Sequence, residues 1–168
     1  MISILRKGFM RTGLALTAIA AVGLPAELAE AAGTATATFQ VTATVQATCN
    51  ISATNLAFGT YAGAQTDATS TVTVTCTNTT AWNVGLNAGT CGATVTTRCM
   101  ANGAAQLNYA LYRDSARTQN WGQTVGTDTL TGTGNGAAQA NTVYGRIPAG
   151  QFPAPGAYTD TITATVSF

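Results

Sequence analysis

The side chains that could do chemistry in this sequence are four cysteines and a few carboxylates, since its 168 residues include no histidine. The lack of histidine excludes His-based triads, histidine-paired cysteine nucleophiles and the commonest zinc sites. Beyond residue 31 the only acidic residues are aspartates, far apart in the sequence, so we expect neither an enzyme nor a cofactor. Asp160 lies two residues before the last alternating run, at a position that would face inward, so its carboxylate should be hydrogen-bonded. The aspartates are Asp67, Asp114, Asp128 and Asp160.

The four cysteines are separated by 27, 15 and 8 residues. A four-cysteine zinc site needs close pairs such as C-x2-C, so an even number of cysteines in an exported chain indicates disulfides. Three connectivities are possible. Cys49 and Cys76 each end a strand pattern, as paired strands would, whereas Cys91 and Cys99 bracket a loop or small hairpin. These positions favour the pairs Cys49–Cys76 and Cys91–Cys99.

The N-terminus has the pattern of a secretory signal peptide. The positive residues Arg6 and Arg11 precede an apolar run over residues 14–24, which is too short for a confident membrane span. Ala29 and Ala31 supply the small residues of a cleavage site. We therefore expect residues 1–31 to be removed and the remainder to be secreted.

The charge of residues 32–168 is balanced, with four arginines, four aspartates and no lysine. Such a surface lacks the basic patch that nucleic acid or an anionic membrane requires. Without lysine, Schiff-base chemistry and lysine-based cross-linking between subunits are excluded. A surface of near-zero net charge also has little self-repulsion, so association is expected.

The pattern of residues 32–168 is almost entirely that of β-strands. Threonine, which favours strands, accounts for 31 of these 137 residues. Apolar and polar residues alternate in several short runs, with no convincing period of 3.6. Gly-rich or polar breaks between such runs predict an all-β, single-domain β-sandwich. The alternating runs lie at 34–45, 71–76, 82–86, 107–111, 143–147 and 162–168, and breaks lie at 131–136 and 153–156.

The first alternating run is too long for one ordinary strand. It begins near Thr34, and its parity continues through Cys49 to Ile51. One interpretation is a single strand that bends across two sheets. The other is a free N-terminal extension followed by the first strand of the domain itself. An uncharged, alternating extension is suited to adding to an exposed sheet edge elsewhere.

Five short segments combine aromatic residues with glycine, arginine or proline. They are LAFGTY (56–61), LNYALYRD (107–114), WG (121–122), VYGRIPAGQ (143–151) and PGAYTDTI (155–162). In this order and spacing they resemble the spore coat protein U domain family, which includes the Csu-type pilins of archaic chaperone–usher pili. The resemblance covers nearly all of residues 32–168.

The resemblance implies an immunoglobulin-like β-sandwich that lacks its last strand. In that family a periplasmic chaperone first fills the gap, and the N-terminal extension of the next subunit then replaces it by donor-strand exchange. It also implies a disulfide like Cys49–Cys76, whereas Cys91 and Cys99 are an addition to the family pattern. The implied donor residues are Ala37, Phe39, Val41, Ala43 and Val45, and the implied edge of the receiving groove is Ile162, Ala164, Val166 and Phe168.

The sequence therefore predicts a signal peptide (1–31), a donor-strand extension (32–46) and a spore coat U or pilin domain (47–168). Its expected role is that of a structural subunit of a secreted surface pilus, used for attachment and biofilm formation. The expected partners are copies of itself or sister subunits, a periplasmic chaperone and an outer-membrane usher, with no nucleic acid or small-molecule substrate. Two alternatives stay open: a spore or cyst coat protein of the same family, and a carbohydrate-binding adhesin, which would need an exposed aromatic cluster.

Overall fold

A computed structural model describes residues 33–92 and 94–168 of the chain. The signal peptide predicted over residues 1–31 lies outside the described residues. The chain divides into two units, Met1–Thr42 and Ala43–Phe168. In the first unit, residues 33–42 form neither helix nor strand. Within the described ranges no helix has the length and apolar character needed to span a membrane.

The described part of the second unit is built from eight strands in two antiparallel sheets. They are β1 (Cys49–Ala53), β2 (Thr66–Cys76), β3 (Ala81–Leu86), β4 (Arg98–Asn102), β5 (Ala105–Tyr112), β6 (Leu130–Thr133), β7 (Gln139–Ile147) and β8 (Ala164–Ser167). One sheet has the order β1-β2-β7-β5-β4, and the other has the order β6-β3-β8. This arrangement confirms the predicted all-β, immunoglobulin-like class.

The hydrophobic core lies between the two sheets and follows from the period of two in the sequence. In β2, Val72 and Val74 are buried while the threonines between them are half-exposed. Trp82 and Val84 of β3 face them from the other sheet, and Leu111 of β5 joins the same core. Burying each such large apolar side chain stabilises the fold by about 1.5–3 kcal/mol.

Two disulfides link the second unit. Cys49, the first residue of β1, lies directly opposite Cys76, the last residue of β2, and the two are bonded with their Cα atoms 4.1 Å apart. The second disulfide joins Cys91 to Cys99 in β4, with a Cα–Cα distance of 5.3 Å. Both pairs are those that the strand ends and the short bracketed loop favour. The first disulfide fixes the start of β1 in register with β2.

The two disulfides should differ in their contribution to stability, because they close loops of different length, with sequence separations of 27 and 8. Removing the Cys49–Cys76 disulfide with Cys49→Ser and Cys76→Ser should lower the free energy of unfolding by roughly 3.6 kcal/mol. Removing the Cys91–Cys99 disulfide with Cys91→Ser and Cys99→Ser should lower it by roughly 2.6 kcal/mol. Denaturant unfolding of the two double variants would measure both losses. A larger loss for the Cys91–Cys99 pair would contradict this ranking.

The first strand is much shorter than the alternating pattern that includes it. Residues 33–48 form no strand and are exposed, and β1 begins only at Cys49. Alternation defines two faces, but a strand also needs a hydrogen-bonded neighbour, and β1 gains one where Cys49–Ala53 pairs with Val72–Cys76. In this structure residues 33–48 therefore do not form one continuous strand with Cys49–Ala53.

Three strand boundaries also differ from the pattern. The Gly-rich segment 131–136 was expected to be a break, yet β6 runs over Leu130–Thr133. Gly132 makes this possible, because the Trp82 ring packs against the position that a side chain would occupy. Strand β4 begins at Arg98, within the segment that Cys91 and Cys99 bracket and that was expected to be a loop or small hairpin. The last strand is Ala164–Ser167, shorter than the 162–168 run.

Candidate functional site: the groove between the sheets

A groove of about 1280 Å³ runs between the two sheets of the second unit. Its apolar lining comes from the inward positions of β2, β5 and β7 on one side and of β3 and β8 on the other. The groove is therefore an open part of the hydrophobic core. The strand residues that line it include Val72, Leu86, Leu107, Leu111, Val143, Ile147 and Ala164.

One wall of the groove is the segment 54–63, which follows β1. Leu56 and Phe58 pack against Gly145 of β7, where a Cβ atom would lie 2.8 Å from the Phe58 ring and 2.9 Å from Leu56. The Phe58 ring also meets Tyr109 edge-on, with their centroids 6.0 Å apart. A glycine at position 145 is thus required for this wall to lie against the sheet.

A second wall is the segment 151–160, which precedes β8. The hydroxyl of Tyr61 joins the two walls, since it donates to the Pro148 carbonyl at 2.7 Å and accepts from the Gln151 backbone N–H at 3.1 Å. Phe152 lies in this wall with 86% of its surface exposed. The two lining segments are therefore bonded directly to each other where Tyr61 meets Gln151.

Three edge strands, β1, β6 and β8, are paired on one side within the described residues. Strands β6 and β8 are each paired with β3, and β1 is paired with β2. The other side of such an edge strand presents backbone N–H and C=O groups that can pair with another chain. Within the described residues β8 is paired on one side only, and its residue Ala164 lines the groove.

Asp160 anchors the segment that leads into β8. Its carboxylate accepts hydrogen bonds from the backbone N–H and the hydroxyl of Thr90, both at 2.7 Å, from the Tyr109 hydroxyl at 2.6 Å and from the Thr161 N–H at 2.8 Å. Burial acts to raise the pKa of Asp160, but the hydrogen bonds outweigh it, so the pKa lies below its ordinary value. The predicted hydrogen bonding of Asp160 is thus observed.

The lowered pKa of Asp160 should make the groove wall sensitive to acid. A carboxylate with a depressed pKa contributes its stability in full above the unfolded value of about 4, and the contribution is lost as pH falls through the lower folded pKa. Asp160→Asn should therefore lower the melting temperature at neutral pH and flatten its decline below about pH 4. Thermal unfolding against pH would measure this, and an unchanged acid limb would contradict it.

Arg98 is fully buried, and no local pattern in the sequence predicts this. Its guanidinium donates to the carbonyls of Leu86, Asn87, Val95 and Trp121 at 2.6–2.9 Å. Burial lowers its pKa, while nearby Tyr109 and aspartates act in the opposite direction. Arg98 thus ties the end of β3 to two loops and to the start of β4.

The residues expected to donate a strand are exposed. Phe39, Val41 and Val45 leave 87%, 85% and 85% of their surface accessible, and Ala37 and Ala43 are exposed as well. The water-exposed segment 33–48 thus carries three large apolar side chains at alternating positions.

The residues expected at the groove edge separate into two groups. Ile162 and Ala164 line the groove. Val166 packs against the core but is not part of the groove lining, and Phe168 is 61% exposed beyond the end of β8. The structure thus brings the first two to the groove and leaves Phe168 at the surface.

Neither tryptophan is exposed as part of an aromatic binding surface. Trp82 and Trp121 are both buried in the core, and the indole N–H of Trp121 donates to the Val84 carbonyl at 2.8 Å. Tyr109 is buried as well. Among the described residues, no group of three or more carboxylate, thiol or imidazole side chains could hold a metal ion.

The fold and groove define an all-β protein of two antiparallel sheets with an open apolar groove between them. The chain belongs to the Spore Coat Protein U domain family, whose model matches residues 35–165. It is 42% identical over 78 residues to Protein U of Myxococcus xanthus, a match that covers 45% of this chain and 43% of that protein.

A solved structure is similar over most of the chain. It is the CsuC–CsuE chaperone–tip adhesion subunit pre-assembly complex from the archaic chaperone–usher Csu pili of Acinetobacter baumannii. The match has a TM-score of 0.58 and 26% identity, and it covers 74% of this chain and 40% of that chain. Both comparisons thus span less than half of the protein to which this chain is similar. They support a structural protein related to chaperone–usher pilus subunits.

Proposed function

We propose that this protein is a structural subunit of a secreted surface pilus, and that each copy is completed by the N-terminal segment of its neighbour. The observation that carries the proposal is the open apolar groove beside the edge strand β8. The segment 33–48 offers the matching chemistry, since its large apolar side chains alternate with polar residues and are exposed.

The geometry of strand addition supports this pairing of segment and groove. Extended residues 34–45 would reach about 40 Å and direct all odd-numbered side chains to one face. Insertion beside β8 would satisfy the edge backbone groups and bury Phe39, Val41 and Val45. Each of these side chains would then contribute about 1.5–3 kcal/mol. The joint needs no covalent chemistry, which suits a chain that has no lysine beyond residue 31.

The proposed partners follow from the same groove. Before assembly, a periplasmic chaperone would occupy it, and an outer-membrane usher would then exchange the chaperone for the segment of the next subunit. The complex to which the chain is similar contains a chaperone and a pilus subunit. The finished polymer would stand on the cell surface and serve attachment and biofilm formation.

Expression with and without a chaperone tests this function. Alone in a periplasm, the chain should be degraded or self-associated because the groove and the β8 edge are open. With the chaperone of its own assembly system it should be recovered as a soluble one-to-one complex. A protease-resistant monomer obtained without any chaperone would contradict the proposal.

A coat protein is the second candidate, favoured by the match to the family model and to Protein U. A coat subunit could use the same joint, so assembly alone does not separate the two functions. Immunogold electron microscopy would do so. Label along thin fibres of growing cells supports the pilus, whereas label in an envelope around resting cells supports the coat.

A further inference from the structure

A loop that follows β3 holds the segment that leads into β8. The loop comprises residues 87–91, and the segment comprises residues 160–163. The Asn87 N–H donates to the Thr163 carbonyl at 3.1 Å, and the Thr163 N–H donates to the side-chain oxygen of Asn87 at 2.9 Å. These two bonds continue the pairing of β3 with β8 by one residue beyond the end of β3.

Thr90 holds the other end of the same segment. Its backbone N–H and its hydroxyl both donate to one carboxylate oxygen of Asp160, each at 2.7 Å. Gly89 permits this close approach, because a Cβ atom at that position would collide with the Asp160 carboxylate. The loop therefore grips the segment at residues 160 and 163, one on each side of Ile162.

The loop is itself anchored to the other sheet. Cys91, which follows Thr90, is disulfide-bonded to Cys99 in β4. The buried guanidinium of Arg98 donates to the Asn87 carbonyl at 2.8 Å. Since β4 belongs to the five-stranded sheet and β8 to the three-stranded sheet, the position of residues 160–163 depends on a covalent link between the two sheets.

The segment that the loop holds carries one edge of the groove. Ile162 and Ala164 line the groove. Alternate residues of an antiparallel strand direct their backbone groups to opposite edges. Thr163 directs its own groups to Asn87, so those of Ile162 point to the other edge of β8. A shift of the loop would therefore displace both the apolar lining and the backbone groups with which an added strand would pair.

We propose that the loop 87–91, anchored by the Cys91–Cys99 disulfide, positions the start of β8 for the acceptance of a donor strand. The inference rests on the proposed function, because it assigns the loop to the same joint. Thr90 and the disulfide lie outside the groove lining, so they act on a donor strand only through the position of residues 160–163. A preformed edge lowers the ordering cost of binding, and loss of the anchor would restore that cost.

A tagged acceptor chain tests whether the loop acts in acceptance. The tagged chain carries Phe39→Asp, so it can accept a strand but not donate one, and it is co-expressed with the untagged parent chain, the chaperone and the usher. The readout is the fraction of tagged chain in SDS-resistant species, normalised to the amount recovered with the chaperone. Cys91→Ser with Cys99→Ser in the tagged chain should lower this fraction about tenfold. The same substitutions in the untagged chain, which donates, should leave it unchanged.

Variants of Thr90 test the loop while both disulfides are kept. Thr90→Val removes the hydroxyl bond to Asp160 with little change of volume, and in the tagged chain it should lower the fraction about threefold. Thr90→Ser keeps the hydroxyl and should behave as the parent. Thr96 is exposed, and its hydroxyl bonds to Thr94 within the disulfide loop. Thr96→Val should therefore also leave the fraction unchanged.

Equal losses from the donor side and the acceptor side would overturn the inference, because the disulfide would then serve only the stability of the fold. Full acceptance by the tagged chain without the Cys91–Cys99 disulfide would overturn it as well, and so would equal behaviour of Thr90→Val and Thr90→Ser. If the tagged Phe39→Asp chain forms no SDS-resistant species with the parent chain, the donor-strand function itself fails. The failure of the inference and the failure of the proposed function thus give different results.

Discussion

Phe39→Asp should abolish polymerisation of the protein, whereas Thr38→Asp should be tolerated. If residues 34–45 insert beside β8 of a neighbour, odd positions face its core and even positions face solvent. Phe39 is the largest odd-numbered side chain in this run, so aspartate there would bury an unpaired charge. The readout is the ladder of SDS-resistant species that collapses on boiling, together with the yield of fibres on cells.

The matched pair of variants controls for charge and for position in the chain. Both add one negative charge to the same exposed segment, one residue apart. Both should still bind the chaperone, because residues 33–48 contribute no strand to the described sandwich. Equal ladders from the two variants would defeat the donor-strand assignment. Loss of chaperone binding by Phe39→Asp would instead indicate that this segment belongs to its own domain.

A groove variant should block the opposite end of the same joint. Ile162 lines the groove and is half-buried, so Ile162→Asp should prevent a subunit from accepting a strand while its own extension can still donate. The outward neighbour Thr163 is exposed, and Thr163→Asp should polymerise normally. The expected loss of polymer with Ile162→Asp is as complete as that with Phe39→Asp.

Co-expression of the two defective variants tests whether one can donate a strand to the other. A Phe39→Asp subunit can accept but not donate, and an Ile162→Asp subunit can donate but not accept. Co-expressed, they should form an SDS-resistant heterodimer that does not extend, although neither variant alone forms any ladder. Because the heterodimer requires both proteins to be folded, it also excludes misfolding as the cause of each defect. Failure to form it, when both variants are recovered from the periplasm as folded protein, would contradict a head-to-tail joint.

The sequence was sufficient to predict the parts of the fold that depend on local alternation. The alternation of Val72, Val74 and Cys76 with threonine predicts β2 and its buried face, and Trp82 and Val84 predict β3 in the same way. The disulfide pairs follow from the positions of the cysteines relative to these strands. In each case the information lies within a few consecutive residues.

The remaining features depend on contacts between distant segments. Arg98 is buried where four carbonyls from three segments converge on it: the end of β3, the loop before β4 and the loop after β5. No local pattern carries that information. The wall formed by Leu56 and Phe58 depends on Gly145, far away in the sequence. The apolar spacing of Leu56 and Phe58 within a Gly- and Thr-containing segment was the one available signal for this wall.

The extension shows a different limit of prediction from sequence. Its alternation is equally suited to a strand of its own domain and to a strand of a neighbour. Residues 33–48 carry no strand in this structure, because alternation alone does not supply the hydrogen-bonded neighbour that a strand needs. The sequence of one chain does not determine whether this segment pairs with its own domain or with a neighbouring subunit.

Photo-cross-linking from position 39 in the assembled polymer tests the central claim most directly. A benzoylphenylalanine at position 39 keeps an aromatic side chain, and a mixture of isotopically light and heavy subunits distinguishes contacts within one chain from contacts between chains. The account predicts cross-links of mixed isotopic composition to groove residues such as Leu86, Leu111 and Ile162. Cross-links confined to a single chain, or directed only to residues outside the groove, would contradict it.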